Sequence, residues 1–312
     1  MANNLQRIVS LSGHEDDRIW HISWSHNGKY LASCGEDKNI LIWTNINEPG
    51  NWDPINPSDI TIISKLNEAQ TRTIRSCEWS SDSKLIASAS FDGIVIIWET
   101  INNNYNNWEQ VASLEGHENE VKSLSWSYDN RLIATCGRDK KIWIWENIYL
   151  ANQVNNQSLS SYFSKQQPSY EYECVATLEG HTQDIKYITF HNQLNTLLFS
   201  CSYDDTIRIW QEDPDERNEW SCISILQGHT STVWQLSINY QSNLLISCSD
   251  DKNLIIWMNN SNDWTDSDSN WLIVSKATNL HKFPIYSIDI SKDYGYIATG
   301  GGDNTIIIGE TK

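Results

Sequence analysis

Histidine, hydroxyl and aspartate side chains recur along this 312-residue chain at spacings that could build a catalytic site. Asp37, for example, follows Ser33 by four residues and His14 by 23. A serine, a histidine and an aspartate within hydrogen-bond reach form the nucleophilic triad of many hydrolases. The same three residue types can instead satisfy one another's buried polar atoms and hold a turn in place. The number of copies separates these two uses.

The set is repeated along the chain, and in most copies a tryptophan follows the aspartate by six residues. A hydrolase needs one triad beside an oxyanion hole, whereas a repeated structural unit needs one set per copy. Repetition therefore favours a structural network, and we predict that the chain is not an enzyme. The complete sets are His14, Ser33, Asp37 and Trp43; His117, Thr135, Asp139 and Trp145; His181, Ser200, Asp204 and Trp210; His229, Ser247, Asp251 and Trp257.

Two further copies are incomplete. In the second copy Gln70 replaces the histidine before Asp92, and in the sixth Gly309 replaces the tryptophan after Asp303. In each copy we expect the aspartate to hold a turn between the second and third strands and to accept a hydrogen bond from the histidine. The histidine bonds in turn to the hydroxyl, and the tryptophan closes the network from the third strand.

Between these anchors, apolar and polar residues alternate with period two, as in Ile22-Ser23-Trp24, and each run stops at a polar turn. Four short strands per unit of about 40 to 45 residues, with a Gly-His start and an Asp-then-Trp end, are typical of a WD40 blade. The sequence therefore predicts an all-β WD40 β-propeller in a single domain, 1–312. Its six recognisable blades cover roughly 12–60, 61–114, 115–178, 179–226, 227–275 and 276–312.

Charge and composition exclude several function classes. A net charge of −18 opposes binding to nucleic-acid phosphates, which needs clustered cations. No run of about 18 apolar residues and no signal-peptide pattern occurs, which predicts no membrane span and a cytoplasmic, or also nuclear, location. Cysteines recur three residues before the blade aspartate without any CxxC pair, so we predict neither a metal site nor a cofactor. These cysteines are Cys34, Cys136, Cys201 and Cys248.

Extra residues between copies follow the third-strand tryptophan, in segments 45–59, 102–107, 147–170 and 259–270. These segments are rich in Asn, Ser and Asp and have too few apolar residues to bury a core of their own. This composition predicts mobile loops between the third and fourth strands. Such loops share one face of a propeller. The opposite, compact face is therefore the predicted recognition face.

On the compact face, the residue before each aspartate and the entry to each first strand should line a central channel. This ring mixes cations with aromatic rings, although the chain as a whole is acidic. Arginine and large aromatic residues carry most interface energy, and a cationic patch attracts acidic peptide segments. The predicted partner-binding residues are Trp20, Arg75, Phe91, Lys122, Arg138, Lys186, Tyr203, Trp234 and Tyr286; Glu36, Asp250 and Gly302 complete the ring.

Loop and surface residues between the anchors resemble the cytosolic iron-sulfur protein assembly WD40 proteins, the Ciao or Cia family. The similarity runs along nearly the whole chain and is strongest at residues 72–75, 86–92, 114–123, 134–140, 172–174, 181–186, 202–206 and 231–234.

The resemblance implies a propeller that binds no cluster itself. It implies a subunit of a targeting complex that joins a small acidic adaptor and a helical-repeat scaffold to deliver [4Fe-4S] clusters to cytosolic and nuclear apoproteins. It also implies a functional role for Arg138 and recognition of C-terminal peptide tails that end in an aromatic residue.

The chain departs from the family, whose members have seven blades. An N-terminal strand, here 6–11, is expected to complete the last blade of such a ring. Six repeats are compatible with an open ring, a tighter six-bladed ring or a truncated chain, and we favour truncation or an open seven-blade curvature.

Two other functions compete with this one. A generic WD40 scaffold, for example in transcription or chromatin complexes, shares the binding class, and an enzymatic role rests only on the His/Ser/Asp sets.

Overall fold

The computed structural model describes residues 9–52, 57–155, 170–239, 243–261, 264–265, 271–291 and 296–310. Those residues form six antiparallel sheets with one short 3-10 helix and one α-helix. They divide into two compact units, residues 1–116 and 117–312. Within the described ranges, no helix combines the length and the apolar character needed to cross a bilayer. The predicted all-β class with six blades is confirmed.

The first unit contains two four-stranded sheets, each a meander in which consecutive strands pair. A short 3-10 helix, Pro57–Asp59, precedes the fourth strand. The strands are β1 (Ile19–Trp24), β2 (Leu31–Gly35), β3 (Ile40–Asn45) and β4 (Ile60–Leu66), then β5 (Ile74–Trp79), β6 (Leu85–Ser90), β7 (Ile94–Ile101) and β8 (Asn104–Glu115).

The second unit contains three four-stranded sheets and a sixth sheet with three described strands. Helix α1 (Ile148–Asn155) follows the third strand of the first of these. The strands are β9 (Val121–Trp126), β10 (Leu132–Gly137), β11 (Lys141–Asn147) and β12 (Tyr172–Glu179); β13 (Ile185–Phe190), β14 (Leu197–Ser202), β15 (Thr206–Glu212) and β16 (Trp220–Gln227); β17 (Val233–Asn239), β18 (Leu244–Ser249), β19 (Leu254–Asn259) and β20 (Trp271–Ala277); and β21 (Ile285–Ile290), β22 (Tyr296–Gly301) and β23 (Ile306–Glu310).

The aspartate of each repeat builds the turn between the second and third strands. The Asp139 carboxylate accepts a hydrogen bond from the Lys141 amide at 3.2 Å, which is an Asx-turn, and Lys140 between them has a φ of 66°. The same left-handed conformation occurs at the residue after every other blade aspartate: Lys38, Gly93, Asp205, Lys252 and Asn304.

The predicted loops fall only in part on described residues. Asn102 and Asn103, both at positive φ, make a two-residue turn between β7 and β8, so this tract is a β-hairpin rather than a loop. The 147–170 segment begins as helix α1. Residues 53–56, 156–169 and 266–270 lie outside the described residues, as do 6–8 of the predicted closing strand, and residues 9–11 form no strand.

Candidate protein-docking site

A hydrogen-bonded chain runs through the third sheet from tryptophan to aspartate. The Trp145 indole nitrogen lies 2.9 Å from the Thr135 hydroxyl, which lies 2.8 Å from His117 Nε2. His117 Nδ1 lies 2.6 Å from the Asp139 carboxylate. Because an indole only donates, the hydroxyl accepts a hydrogen bond from it and can donate its own hydrogen to Nε2. In that arrangement Nδ1–H of His117 donates to the Asp139 carboxylate.

Three other complete sets have the same bonds in the same order, so the structure brings the sixteen predicted tetrad residues together, each set within its own repeat. The histidine-to-aspartate distances are 2.9 Å for His14, 2.8 Å for His181 and 3.0 Å for His229. The histidine-to-hydroxyl distances are 2.8 Å to Ser33, 2.8 Å to Ser200 and 2.7 Å to Ser247. The indole-to-hydroxyl distances are 2.8 Å from Trp43, 2.8 Å from Trp210 and 2.9 Å from Trp257.

The two incomplete sets keep part of the network. Gln70 stands in for histidine: its side-chain oxygen accepts from the Ser88 hydroxyl at 2.9 Å, and its nitrogen donates to the Ser88 and Ile94 carbonyls. In the sixth sheet His281 contacts Asp303 and Thr299, both at 2.9 Å, and Gly309 supplies no indole.

The surroundings of Asp204 and His181, the pair beside the fourth sheet, shift the pKa of both side chains. Burial raises the pKa of Asp204, but hydrogen bonds from His181, Thr206 and the Thr182 amide outweigh it and hold the pKa well below its usual range. Burial lowers the pKa of His181. An ionised aspartate therefore faces a neutral histidine at neutral pH.

The tetrad hydroxyls are poorly placed for nucleophilic attack. Ser200 and Ser247 are fully buried, and each is bonded on one side to histidine and on the other to tryptophan. A substrate carbonyl would have to displace one of these buried partners to reach the oxygen. The geometry therefore favours a structural role for the sets.

The predicted strand cysteines are buried free thiols. Burial raises the pKa of Cys136, Cys201 and Cys248 far above the ordinary thiol range, so they stay protonated, whereas the thiolate is the metal ligand. Cys174 differs, because it is exposed on β12. In the described part of the chain no group of three or more His, Cys, Asp or Glu side chains could hold a metal ion.

Five predicted partner-binding residues of the second unit form one continuous cluster, which we call the aromatic-lysine surface: Lys122, Lys186, Tyr203, Trp234 and Tyr286. The Lys186 ammonium lies 3.4 Å from the Tyr203 ring centroid and 5.1 Å from that of Trp234. Trp234 packs edge-on against Tyr203 at 5.7 Å and against Tyr286 at 5.2 Å. The Lys186 ammonium therefore lies against two rings of this surface, an arrangement that cation–π attraction favours.

Asp184 sits within the aromatic-lysine surface, and the sequence patterns did not single it out. Its carboxylate forms an ion pair with Lys122 and lies 4.0 Å from the Lys186 ammonium. Lys186 is buried, so its charge is largely compensated before any partner binds. The predicted cationic ring is therefore less cationic in this region than its composition indicates.

Arg138 supplies a more accessible cation beside this surface. It follows β10, and its side chain is 58% exposed with a single 3.4 Å contact to Glu120. Glu120 directly precedes β9, the strand that carries Lys122. Arg138 is therefore free to change its contact when an anionic group arrives.

Phe283 was also missed by the sequence analysis, because it lies outside the repeated positions. Its ring is exposed, as is that of Tyr286. A Cβ atom at Gly302 would lie 3.1 Å from Tyr286 Cε2 and 3.3 Å from Phe283 Cβ. The missing side chain at Gly302 therefore leaves room for both aromatic residues.

The first unit carries the other three predicted residues in two cation-aromatic pairs. The Arg75 guanidinium lies 5.1 Å from the Trp20 ring centroid and donates to the Trp20 carbonyl. The Arg72 guanidinium lies 5.9 Å from the Phe91 ring and donates to the Phe91 carbonyl. Glu36 is exposed in the turn after β2.

Repeated antiparallel sheets with a buried His-hydroxyl-Asp-Trp network define a WD40 β-propeller protein. In agreement, the family model of the WD domain, G-beta repeat, matches residues 5–44, 61–99, 108–146, 172–211, 220–258 and 274–308. The chain belongs, within this class, to the family of cytosolic iron-sulfur protein assembly proteins named CIAO1 or CIA1.

The relatives that support this assignment differ in coverage. A probable cytosolic iron-sulfur protein assembly protein CIAO1 homolog of Schistosoma japonicum is 33% identical over 98% of this chain and 77% of its own length. Probable cytosolic iron-sulfur protein assembly protein 1 of Cryptococcus neoformans is 31% identical over 68% of this chain. The CIAO1 homolog of Caenorhabditis elegans is 36% identical over 35% of it. The alignments with the Cryptococcus neoformans and Caenorhabditis elegans proteins span 41% and 31% of the lengths of those two relatives.

Proposed function

We propose that this protein is a non-catalytic adaptor of cytosolic iron-sulfur protein assembly. It acts in the cytosol, and also in the nucleus, to bring [4Fe-4S] clusters held by other proteins to their apoprotein recipients. Membership of the CIAO1 family and the buried, fully bonded tetrad hydroxyls support this role. The cluster is cargo of the complex, and the propeller contributes protein contacts.

The single observation that carries the proposal is the aromatic-lysine surface. Trp234 is held between Tyr203 and Tyr286, and Lys186 lies against two of these rings. Rigid aromatic residues of this kind lose little entropy on binding, and arginine and aromatic residues dominate interface energetics. The small acidic adaptor and the helical-repeat scaffold of the targeting complex, together with client apoproteins, are the proposed partners.

A C-terminal tail ending in an aromatic residue suits this surface chemically. Its ring would pack against the exposed faces of Tyr203, Tyr286 and Phe283. Its terminal carboxylate would pair with Arg138, which is the exposed cation of this region. Lys122 and Lys186 are already paired with Asp184, so they contribute mainly by positioning the rings.

Titration of fluorescent tail peptides by polarisation tests the proposal. A peptide ending in a free-acid tryptophan should bind, and its amide and its alanine-ended form should each bind at least tenfold more weakly. Arg138→Glu should weaken the free-acid peptide about tenfold and the amide far less. Lys140→Glu makes the same charge change two residues away and should leave affinity unchanged.

Equal affinity for the free acid and the amide would contradict the tail assignment. Mass spectrometry of the proteins recovered with the tagged chain distinguishes the adaptor role from the broader alternative, a generic WD40 scaffold. Recovery of transcription or chromatin proteins in place of the targeting-complex partners would favour a generic WD40 scaffold.

A further inference from the structure

A thiol and a guanidinium lie side by side on the fourth sheet. Arg208 Nη1, on β15, donates a hydrogen bond to Cys222 Sγ, on β16, at 3.8 Å. The thiol donates in turn to the Ser224 carbonyl at 3.4 Å, and Cys222 is only partly buried. The sulfur therefore contacts a cation and is still partly open to solvent.

The position that Arg208 occupies is apolar in three other repeats. Two residues before the third-strand tryptophan stand Leu41, Ile96 and Ile255, each at most 2% exposed. A blade can therefore be packed at this position by an aliphatic side chain alone. Packing does not explain why a charged side chain is present in the fourth repeat.

The charge of Arg208 is poorly compensated by its surroundings. Its Nε atom is buried and has no hydrogen-bond partner, and among the described residues no carboxylate forms an ion pair with the guanidinium. A Cβ atom at Gly180 would lie 2.6 Å from Nη1, so the lack of a side chain at Gly180 makes room for the guanidinium. The Trp210 ring centroid lies 6.0 Å from Cζ. A half-buried cation in this setting favours an anionic form of the group beside it.

Cys174 presents a similar thiol without the cation. Cys174 and Cys222 each pair with the tryptophan of their own third strand. The Cys174 thiol also donates to the carbonyl two residues further along, that of Ala176, at 3.5 Å. Trp143 stands at the Arg208 position of that repeat, and Cys174 is the more exposed of the two cysteines. Accessibility alone would make Cys174 the faster to react, whereas a cation effect would favour Cys222.

We propose that Cys222 is a site of reversible oxidation by hydroperoxides and that Arg208 stabilises the charges that this reaction creates. Hydroperoxides are small enough to reach a partly exposed sulfur, and their leaving group is an anion that a guanidinium can bind. The site lies outside the aromatic-lysine surface, so the proposal is independent of the adaptor role.

The reaction begins when the Cys222 thiol loses its proton to water, because the thiolate is the nucleophile. The sulfur attacks one peroxide oxygen, so that an S–O bond forms and the O–O bond breaks. The departing oxygen takes a proton from water. The sulfur is oxidised to a sulfenic acid, and the peroxide is reduced to water or an alcohol. Arg208 stabilises the negative charge first on the sulfur and then on the departing oxygen.

Peroxide oxidation of the purified full chain tests the proposal. Sulfenic acids formed with hydrogen peroxide are captured with dimedone, and each cysteine is quantified by peptide mass spectrometry. Capture at Cys222 should be about tenfold faster than at Cys174, although Cys174 is more exposed. The two thiols are compared within one molecule, so this measurement needs no variant. The buried thiols Cys136, Cys201 and Cys248 give the background.

Arg208→Leu introduces the side chain found in the first repeat, and it should slow capture at Cys222 about tenfold while the rate at Cys174 is unchanged. Arg208→Lys keeps the positive charge and should react faster at Cys222 than Arg208→Leu. Unchanged circular dichroism confirms folding of each variant. Capture at Cys174 that equals or exceeds capture at Cys222 in the wild type would overturn the proposal. An unchanged rate at Cys222 in folded Arg208→Leu, or equal rates in the two variants, would also overturn it.

Discussion

The Lys186 ammonium lies 3.4 Å from the centroid of the Tyr203 ring, and the same lysine lies 4.0 Å from the Asp184 carboxylate. An anion and an aromatic ring therefore share one buried cation. The Asp184 carboxylate therefore partly neutralises the lysines of the aromatic-lysine surface, and it sets the net positive charge that this surface presents to a partner.

Replacing Asp184 with asparagine should strengthen the binding of acidic peptides. The change leaves Lys122 and Lys186 without their shared carboxylate, so the surface gains positive charge. We expect affinity to rise about threefold to tenfold at low ionic strength and the gain to vanish at high salt, where surface charges are screened. Polarisation titrations at two salt concentrations measure this, and a salt-independent gain would contradict the electrostatic explanation.

Thr135→Val should destabilise the fold without a change of volume. It removes the atom that accepts from Trp145 and donates to His117, leaving buried polar groups unsatisfied. The expected loss is roughly 1–3 kcal/mol in the free energy of unfolding. Urea denaturation measures it against Thr182→Val, the same change at an exposed position. Equal stability of the two variants would mean that the tetrad contributes little.

His191 should make stability fall as the pH drops. Burial lowers the pKa of His191 to about 4, whereas the unfolded residue has its ordinary value of 6.5. Because the folded-state pKa is depressed, its contribution is complete above pH 6.5 and is lost as the pH falls toward 4. In the folded state Nδ1 accepts from the Gln193 and Leu194 amides, each at 3.2 Å.

His191→Asn is the matched variant, since an asparagine oxygen can accept the same amides without titrating. Urea denaturation at several pH values should give a shallower decline for this variant, by up to roughly 1.4 kcal/mol per pH unit in that window. Parallel pH profiles for the variant and the wild type would refute the assignment.

Arg131 should be more important for stability than its neighbour Arg217. Arg131 forms an ion pair with the buried carboxylate of Glu146 and lies 3.6 Å from that of Glu212. Arg131→Met takes this guanidinium away from Glu212 and leaves Arg217 as the cation beside Glu146, at a cost of roughly 3–5 kcal/mol. Arg217 contacts Glu146 from a side chain that is a third exposed, so Arg217→Met should cost about 1 kcal/mol or less. Comparable losses in urea denaturation would contradict this ranking.

The fold was predictable because its determinants are local and repeated. The Asp139-Lys140 turn and the alternating strands are encoded within a few residues, and six copies of one signal reinforce one another. Gln70 shows the limit of such a pattern, since its compensating bonds to Ser88 and Ile94 depend on side-chain placement.

The docking site was only partly predictable. Repeat position identified Lys186, Tyr203 and Trp234, whose rings and cation do meet. Asp184 was missed because ion pairing across neighbouring sheets depends on rotamers, and Phe283 because its exposure depends on the space left by Gly302. A pattern of one repeat carries no information about contacts between repeats.

Trp234→Ala tests the central claim most directly, through the binding isotherm of the purified chain with the small acidic adaptor of the targeting complex. The wild type should bind saturably, and the variant should lose at least tenfold in affinity, since Trp234 links the two other rings of the surface. Tyr128→Ala, which removes an exposed ring from the hairpin between β9 and β10, should bind like the wild type. Absence of wild-type binding, or unchanged affinity of Trp234→Ala, would contradict the account.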